Sequence, residues 1–130
     1  MARYENDPYY RASPEVPGNP WFISTLWLAD FLIRNAREDH DLEEALQILS
    51  WVSDRALPSG VLAEQIHPHT CAPLSVSPLT WSHGTLVAVI QQIIRYFSRK
   101  SGTPLERMED WIGHLYVQAC DSIYGTCAVK

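Results

Sequence analysis

Long apolar runs are missing from this chain, and with them any segment of membrane-spanning length. The start, Met-Ala-Arg-Tyr-Glu-Asn-Asp, has no apolar core of the kind a secretory signal needs. Cysteine is scarce, and three residues cannot all pair within the chain, which predicts a reducing, cytoplasmic setting. Basic charge is short as well. Ten Lys and Arg against fifteen Asp and Glu leave a net charge of -5, so no positive field invites nucleic acid. No glycine-rich phosphate loop, HExxH or Cys-x-x-Cys occurs, and Cys120 and Cys127 lack zinc-ribbon spacing. Ser82 and His83 are adjacent, and neighbouring side chains on a helix diverge, so they do not form a nucleophile–base pair. His67, His69 and Cys71 alternate along one segment as a conceivable metal edge, but exposed loop residues are the simpler account. No metal or cofactor is expected.

What is present is helical periodicity in a chain of single-domain length. Residues 1–18 are irregular, broken by three prolines and Gly18. Asn19 as cap and Pro20 at the first position predict a helix to about Ala36. Phe22, Leu26, Ala29 and Ile33 form its stripe, with Trp21, Leu28 and Leu32 off it. A helix apolar nearly all round is expected to be buried on more than one side. A second helix starts near Asp41, with Leu42, Ala45, Leu46, Leu49, Val52 and Ala56 on one face. A third opens with Ser77 and Pro78, carries Leu79, Leu86, Ile90, Ile93 and Phe97, and ends at Arg99, Lys100 and Gly102. Thr103-Pro-Leu-Glu106 is a capping box for a fourth. No strand pattern is evident, so the class expected is all-α, with three to four helices.

The second and third helices are joined by a long connection, Pro58 to His83, with four prolines and one glycine. Connections of that length without secondary structure are usually functional or disordered. Core-type residues at Val61, Leu62, Ile66, Leu74, Val76 and Leu79 argue for order. The segment then presents one carboxylate, Glu64, which is chemically suited to polarising a water as a general base.

Two pairs of motifs give that carboxylate a context. Arg3-Tyr4-Glu5-x-Asp7-x-Tyr9-Tyr10 followed by Gly18-Asn19-Pro20-Trp21-Phe22 resembles a block of glycoside hydrolase family 15, the glucoamylases. Gly60-Val-Leu-Ala-Glu64-Gln65 and Leu79-Thr-Trp81-Ser-His83 resemble the next signatures, in the family's order and spacing, so the likeness covers about residues 2 to 100. It implies that residues 1–102 are the C-terminal segment of an (α/α)6 toroid, with 103–130 as an extra helix or tail. It also implies inverting exo-hydrolysis of α-linked glucose, from α-glucan, maltooligosaccharide or trehalose. Glu64 would be the general base, Arg3 would hydrogen-bond sugar hydroxyls, and Trp21 would stack on or flank a glucose ring. Gln65 and Trp81 would support the pocket.

The chain departs from that pattern in two ways. Between Tyr10 and Gly18 it carries a longer insert, which bears on how Arg3 sits relative to Trp21. An inverting glycosidase also needs a protonated second carboxyl about 6.5–9.5 Å from the base. In the family that acid lies in a stretch upstream of the position of Met1, and neither Glu5 and Asp7 nor Glu38 and Asp39 replace it. The isolated chain is therefore expected to be nearly inactive on glucans. Its expected partners are the glycan and either a separately encoded N-terminal portion or a copy of itself. The alternative reading is a non-catalytic helical module that binds a protein or a glycan.

Overall fold

A computed structural model of the chain describes residues 1–102. The fourth helix and its capping box at Thr103 lie outside the described residues. Met1–Gln92 form one compact unit, which contains the candidate site, and a second unit begins at Ile93.

Three helices dominate: α1 (Phe22–Asn35), α2 (Glu43–Ser53) and α3 (Thr80–Ser101). A 3-10 turn at Asp39–Leu42 leads into α2. The fold is mostly helical, but not without strands. β1 (Gln65–Ile66) and β2 (Pro73–Leu74) pair antiparallel inside the long connection, Gln65 opposite Leu74 and Ile66 opposite Pro73. Trp21 adds a bridge to Gln65 on the other side. Two-residue strands bounded by prolines give no alternating pattern, which is why sequence periodicity missed them.

The α1 stripe is the core. Phe22, Leu26, Ala29 and Ile33 are almost fully buried, and Phe22 meets Trp51 of α2 with ring centroids 5.4 Å apart. Leu42, Ala45, Ile48 and Val52 bring α2 onto it at helical spacing. Leu46, expected on that face, is exposed, because the buried face is centred on Ile48. Truncating one of these side chains to alanine costs about 2–5 kcal/mol in a packed core. Among the described residues the other sides of α1 are less fully covered, with Leu28 and Leu32 half-buried. Trp27 and Phe31 are 53% and 61% exposed.

Two helix starts differ from the expectation. α1 begins at Phe22 with Trp21, in extended conformation, as its N-terminal boundary and no side-chain cap. Asn19 is instead buried and bonded elsewhere: its Nδ2 donates to the Tyr10 carbonyl (2.6 Å) and to Gln65 Oε1 (2.8 Å), and its Oδ1 accepts from Ala12 N–H (3.0 Å). The orphan donor of the helix is met from outside, by Phe22 N–H bonding the Glu64 carbonyl at 3.3 Å. α3 begins at Thr80, not Pro78. Its end matches the expectation, with Arg99 and Lys100 in the last turn and Gly102 in the left-handed region (φ 66°). Among the described residues no helix is long and apolar enough to cross a membrane.

Candidate functional site

The long connection is held by backbone bonds within itself and to Pro20 just before α1. Glu64 N–H bonds the Val76 carbonyl (2.8 Å), Ile66 N–H the Pro20 carbonyl (2.9 Å), His67 N–H the Ala72 carbonyl (2.8 Å) and Leu79 N–H the Leu62 carbonyl (3.0 Å). The Ser82 hydroxyl, fully buried, donates to the Ala63 carbonyl at 2.9 Å, and His83 Nε2 accepts from Leu62 N–H at 3.0 Å. Ser82 and His83 are thus two anchors that hold residues 62–63 against the first turn of α3. They are not a catalytic pair. Glu64 is the next residue, so these anchors place its Cα.

The Glu64 side chain is half-buried, and its Oε2 accepts a hydrogen bond from the Ser75 hydroxyl. Ser75 reaches it from the left-handed region, at φ 63°. A non-glycine residue pays about 1–2 kcal/mol to stay there, and such outliers gather where geometry matters. One carboxylate oxygen is therefore held while the other is left to a different partner.

Across the pocket, residues 1–18 form a loop that fixes Arg3. Its guanidinium makes a two-pronged pair with Asp7, Nε to Oδ2 at 2.7 Å and Nη2 to Oδ1 at 2.8 Å. The Asp7 side chain is fully buried and also accepts from Tyr9 N–H (3.1 Å). The Arg3 bonds, more than the opposing cost of burial, hold the Asp7 carboxyl below its ordinary pKa. The same pair raises that of Arg3, which also feels the charge of Glu64. Arg3 lies over the Trp21 ring at 4.1 Å and beside Tyr9 at 5.2 Å. Gly18 (φ 141°) lets this loop close: a Cβ there would sit 3.0 Å from the Ala2 Cβ and 3.1 Å from that of Asp7. Arg11 ties the longer insert down internally, through bonds to the Val16 and Pro14 carbonyls at 2.7 Å each. The insert leaves Arg3 against Trp21.

Arg3, Tyr9, Trp21, Ile23, Ser24, Trp27, Glu64, Leu79 and Trp81 enclose a cavity of about 420 Å³. Four of the five residues singled out by sequence, Arg3, Trp21, Glu64 and Trp81, line it together. Gln65 does not. It is fully buried behind the pocket, accepting from Asn19. Trp21 is only 5% exposed and has Arg3 over its face, so it offers the pocket a flank and no open stacking surface. Trp81 is 61% exposed. Ser75, Tyr9 and Trp27 were not singled out. Arg3 and Asp7 lie in an irregular loop where the helical i,i+4 rule does not apply, and nothing in the sequence pairs Ser75 with Glu64 across eleven positions.

The histidine segment does not converge. His67 Nδ1 accepts from His69 and Thr70 N–H, both at 3.2 Å, as part of the turn between the strands. No group of three or more His, Cys, Asp or Glu residues is placed to hold a metal ion among the described residues.

An uncharacterized glycosyl hydrolase of Methanocaldococcus jannaschii is 30% identical over 101 residues, an alignment that takes in 71% of this chain. The chain spans about 15% of the length of that curated relative. No protein-family model matches the chain. No solved structure matches it either. The similarity supports a glycosidase-like relationship and points to no narrower family.

Proposed function

We propose that the chain carries the water-activating part of an inverting glycoside hydrolase of the glucoamylase type, with Glu64 as general base. The observation that carries this reading is that Arg3, Trp21, Glu64 and Trp81, from three separate stretches of sequence, line one 420 Å³ cavity. That volume lies within the range of about 300–1,000 Å³ typical of ligand pockets. The lining suits a sugar, with apolar indole surface for ring C–H groups and fixed charges for hydroxyls. Arg3 is oriented by Asp7, which takes Nε and one Nη2 bond, and presents its remaining N–H groups as donors. Glu64, with Oε2 occupied by Ser75, has Oε1 for a water, which it would deprotonate as that water attacks the anomeric carbon. The substrates proposed are α-linked glucosides: α-glucan, maltooligosaccharide or trehalose.

Inversion also requires a protonated carboxyl at the leaving-group oxygen. Glu64 is the carboxylate among the described lining residues. The acid is therefore proposed to come from another part of the assembled enzyme, by analogy with the family's upstream glutamate. Its absence from the described pocket also favours a second reading, in which the chain holds a glycan without cleaving it.

Titrating maltotriose into the chain and following tryptophan fluorescence tests the pocket. Binding should be weakened in Trp81→Ala, whose ring is exposed in the pocket, and weakened about ten-fold in Arg3→Ala, equivalent to one charge-assisted hydrogen bond. It should persist in Glu64→Gln. Binding unaltered by both Arg3→Ala and Trp81→Ala would place the sugar elsewhere and remove the proposal.

A further inference from the structure

Besides its buried stripe, α1 carries a second face. Trp27, Asp30, Phe31 and Arg34 follow the i, i+3, i+4, i+7 spacing of one helix side, and both aromatic side chains are more than half exposed. Between this face and α3 runs a groove of about 310 Å³. Trp27, Asp30 and Arg34 form one wall, and Trp81, Gly84 and Ala88 the other. Phe31 stands beside the groove without lining it. We propose that two copies of the chain pair through this face about a twofold axis, the Phe31 ring of each entering the groove of the other. Asp30, Phe31 and Arg34 line no part of the Glu64 pocket, so the proposal does not depend on the sugar reading of that pocket.

Three observations favour a second copy over a foreign partner. The first is that the surface is its own complement, as a twofold interface requires. It offers a projecting ring and, beside it, an open recess. A Cβ placed on Gly84 would have no neighbour within 4 Å, so no described side chain fills the recess at that point. The second is charge. The same helix face carries both signs, Asp30 and Arg34, paired within the helix from Nε to Oδ2 at 2.7 Å and partly exposed. Two α1 helices packed antiparallel run in opposite order, which brings Asp30 of each copy opposite Arg34 of the other. A patch of one sign would call for a partner of the other sign, whereas this one is matched by itself. The third is contiguity. Singly exposed apolar side chains are ordinary, but contiguous ones mark contact surfaces. Trp27 meets Trp81 edge to face with centroids 6.0 Å apart, and Trp81 is itself exposed. With Phe31 one turn on from Trp27, the three rings and Arg34 are the residue types that anchor interfaces. The net charge of -5 opposes association at a distance, but at physiological salt such repulsion is screened beyond about 8 Å.

Sedimentation velocity of the full chain, at tens of micromolar and without sugar, tests the pairing. The wild type should form a closed dimer and nothing larger. Phe31→Glu should raise the dissociation constant about thirty-fold or more, the loss of one interface anchor. Asp30→Arg and Arg34→Asp should each weaken the dimer about ten-fold, because like charges then face one another across the axis. Mixing those two variants should restore dimers, since each then meets the opposite charges on the other. The double variant Asp30→Arg, Arg34→Asp should dimerise as the wild type does. Helical circular dichroism establishes that each variant is folded. A monomeric wild type, an open series of oligomers, a dimer indifferent to Phe31→Glu, or charge variants that do not pair on mixing would each overturn the proposal. None of these outcomes bears on maltotriose binding beside Glu64, which stands or falls by its own titration.

Discussion

The two sides of the Glu64 pocket are built differently. Arg3 is gripped by a buried two-pronged carboxylate and pressed against an indole and a phenol ring. Glu64 stands half-buried on the opposite wall, with its backbone bonded to Val76 and Phe22 and its side chain held by the Ser75 hydroxyl. A group that only has to point donors at a substrate gains from being fixed, because its ordering cost is met on folding. A base must keep a lone pair available and exchange protons with water, so it gains from one restraint and one free oxygen. The rigid side and the adjustable side suit the two roles proposed for them, and substitutions on each should read out differently.

The largest effect on stability is expected on the rigid side. Asp7→Ala removes two bonds to Arg3 and one to Tyr9 N–H from a fully buried side chain. It should cost about 3 kcal/mol, at the upper end for hydrogen bonds to charged groups, measured by urea unfolding. Gly18→Ala meets both a left-handed φ and two close Cβ neighbours, and should lose about 2 kcal/mol in the same assay. On the adjustable side, Ser75→Ala should barely move the unfolding midpoint. It should lower kcat about five-fold in the assembled enzyme, the worth of one hydrogen bond of about 1 kcal/mol, with KM little changed. A stability loss from Ser75→Ala as large as that from Asp7→Ala would erase the contrast. The smallest effect is acid sensitivity. Asp7 has a pKa below its ordinary value in the folded chain, chiefly through Arg3. Its contribution is complete above the ordinary carboxylate range, about pH 4, and declines as pH falls through the lowered folded value. Asp7→Asn should flatten the acid decline of the urea midpoint.

The same contrast separates what could be read from the sequence. The helices were legible because Phe22, Leu26, Ala29 and Ile33 repeat at helical spacing and face one core. Four of the pocket residues were legible only through their motifs, since no local rule brings Arg3, Trp21, Glu64 and Trp81 together. Asn19 shows the limit well. Its type and position beside Pro20 read as a helix cap, but a bond to Gln65, forty-six positions away, uses the same side chain. Tertiary bonding overrode a local propensity there. It did so again at Ser82 and His83, whose polar atoms turn back onto the Glu64 segment.

The central claim is that Glu64 activates water, and α-D-glucosyl fluoride tests it most directly in this chain. Fluoride departs without help from a general acid, so the base alone can show its effect. The account predicts fluoride release by the 130-residue chain above the buffer rate, with β-glucose as the first product by proton NMR. In Glu64→Gln that release should fall by about 10²–10⁴-fold. Equal release by the wild type and Glu64→Gln, or α-glucose as the first product, would contradict it.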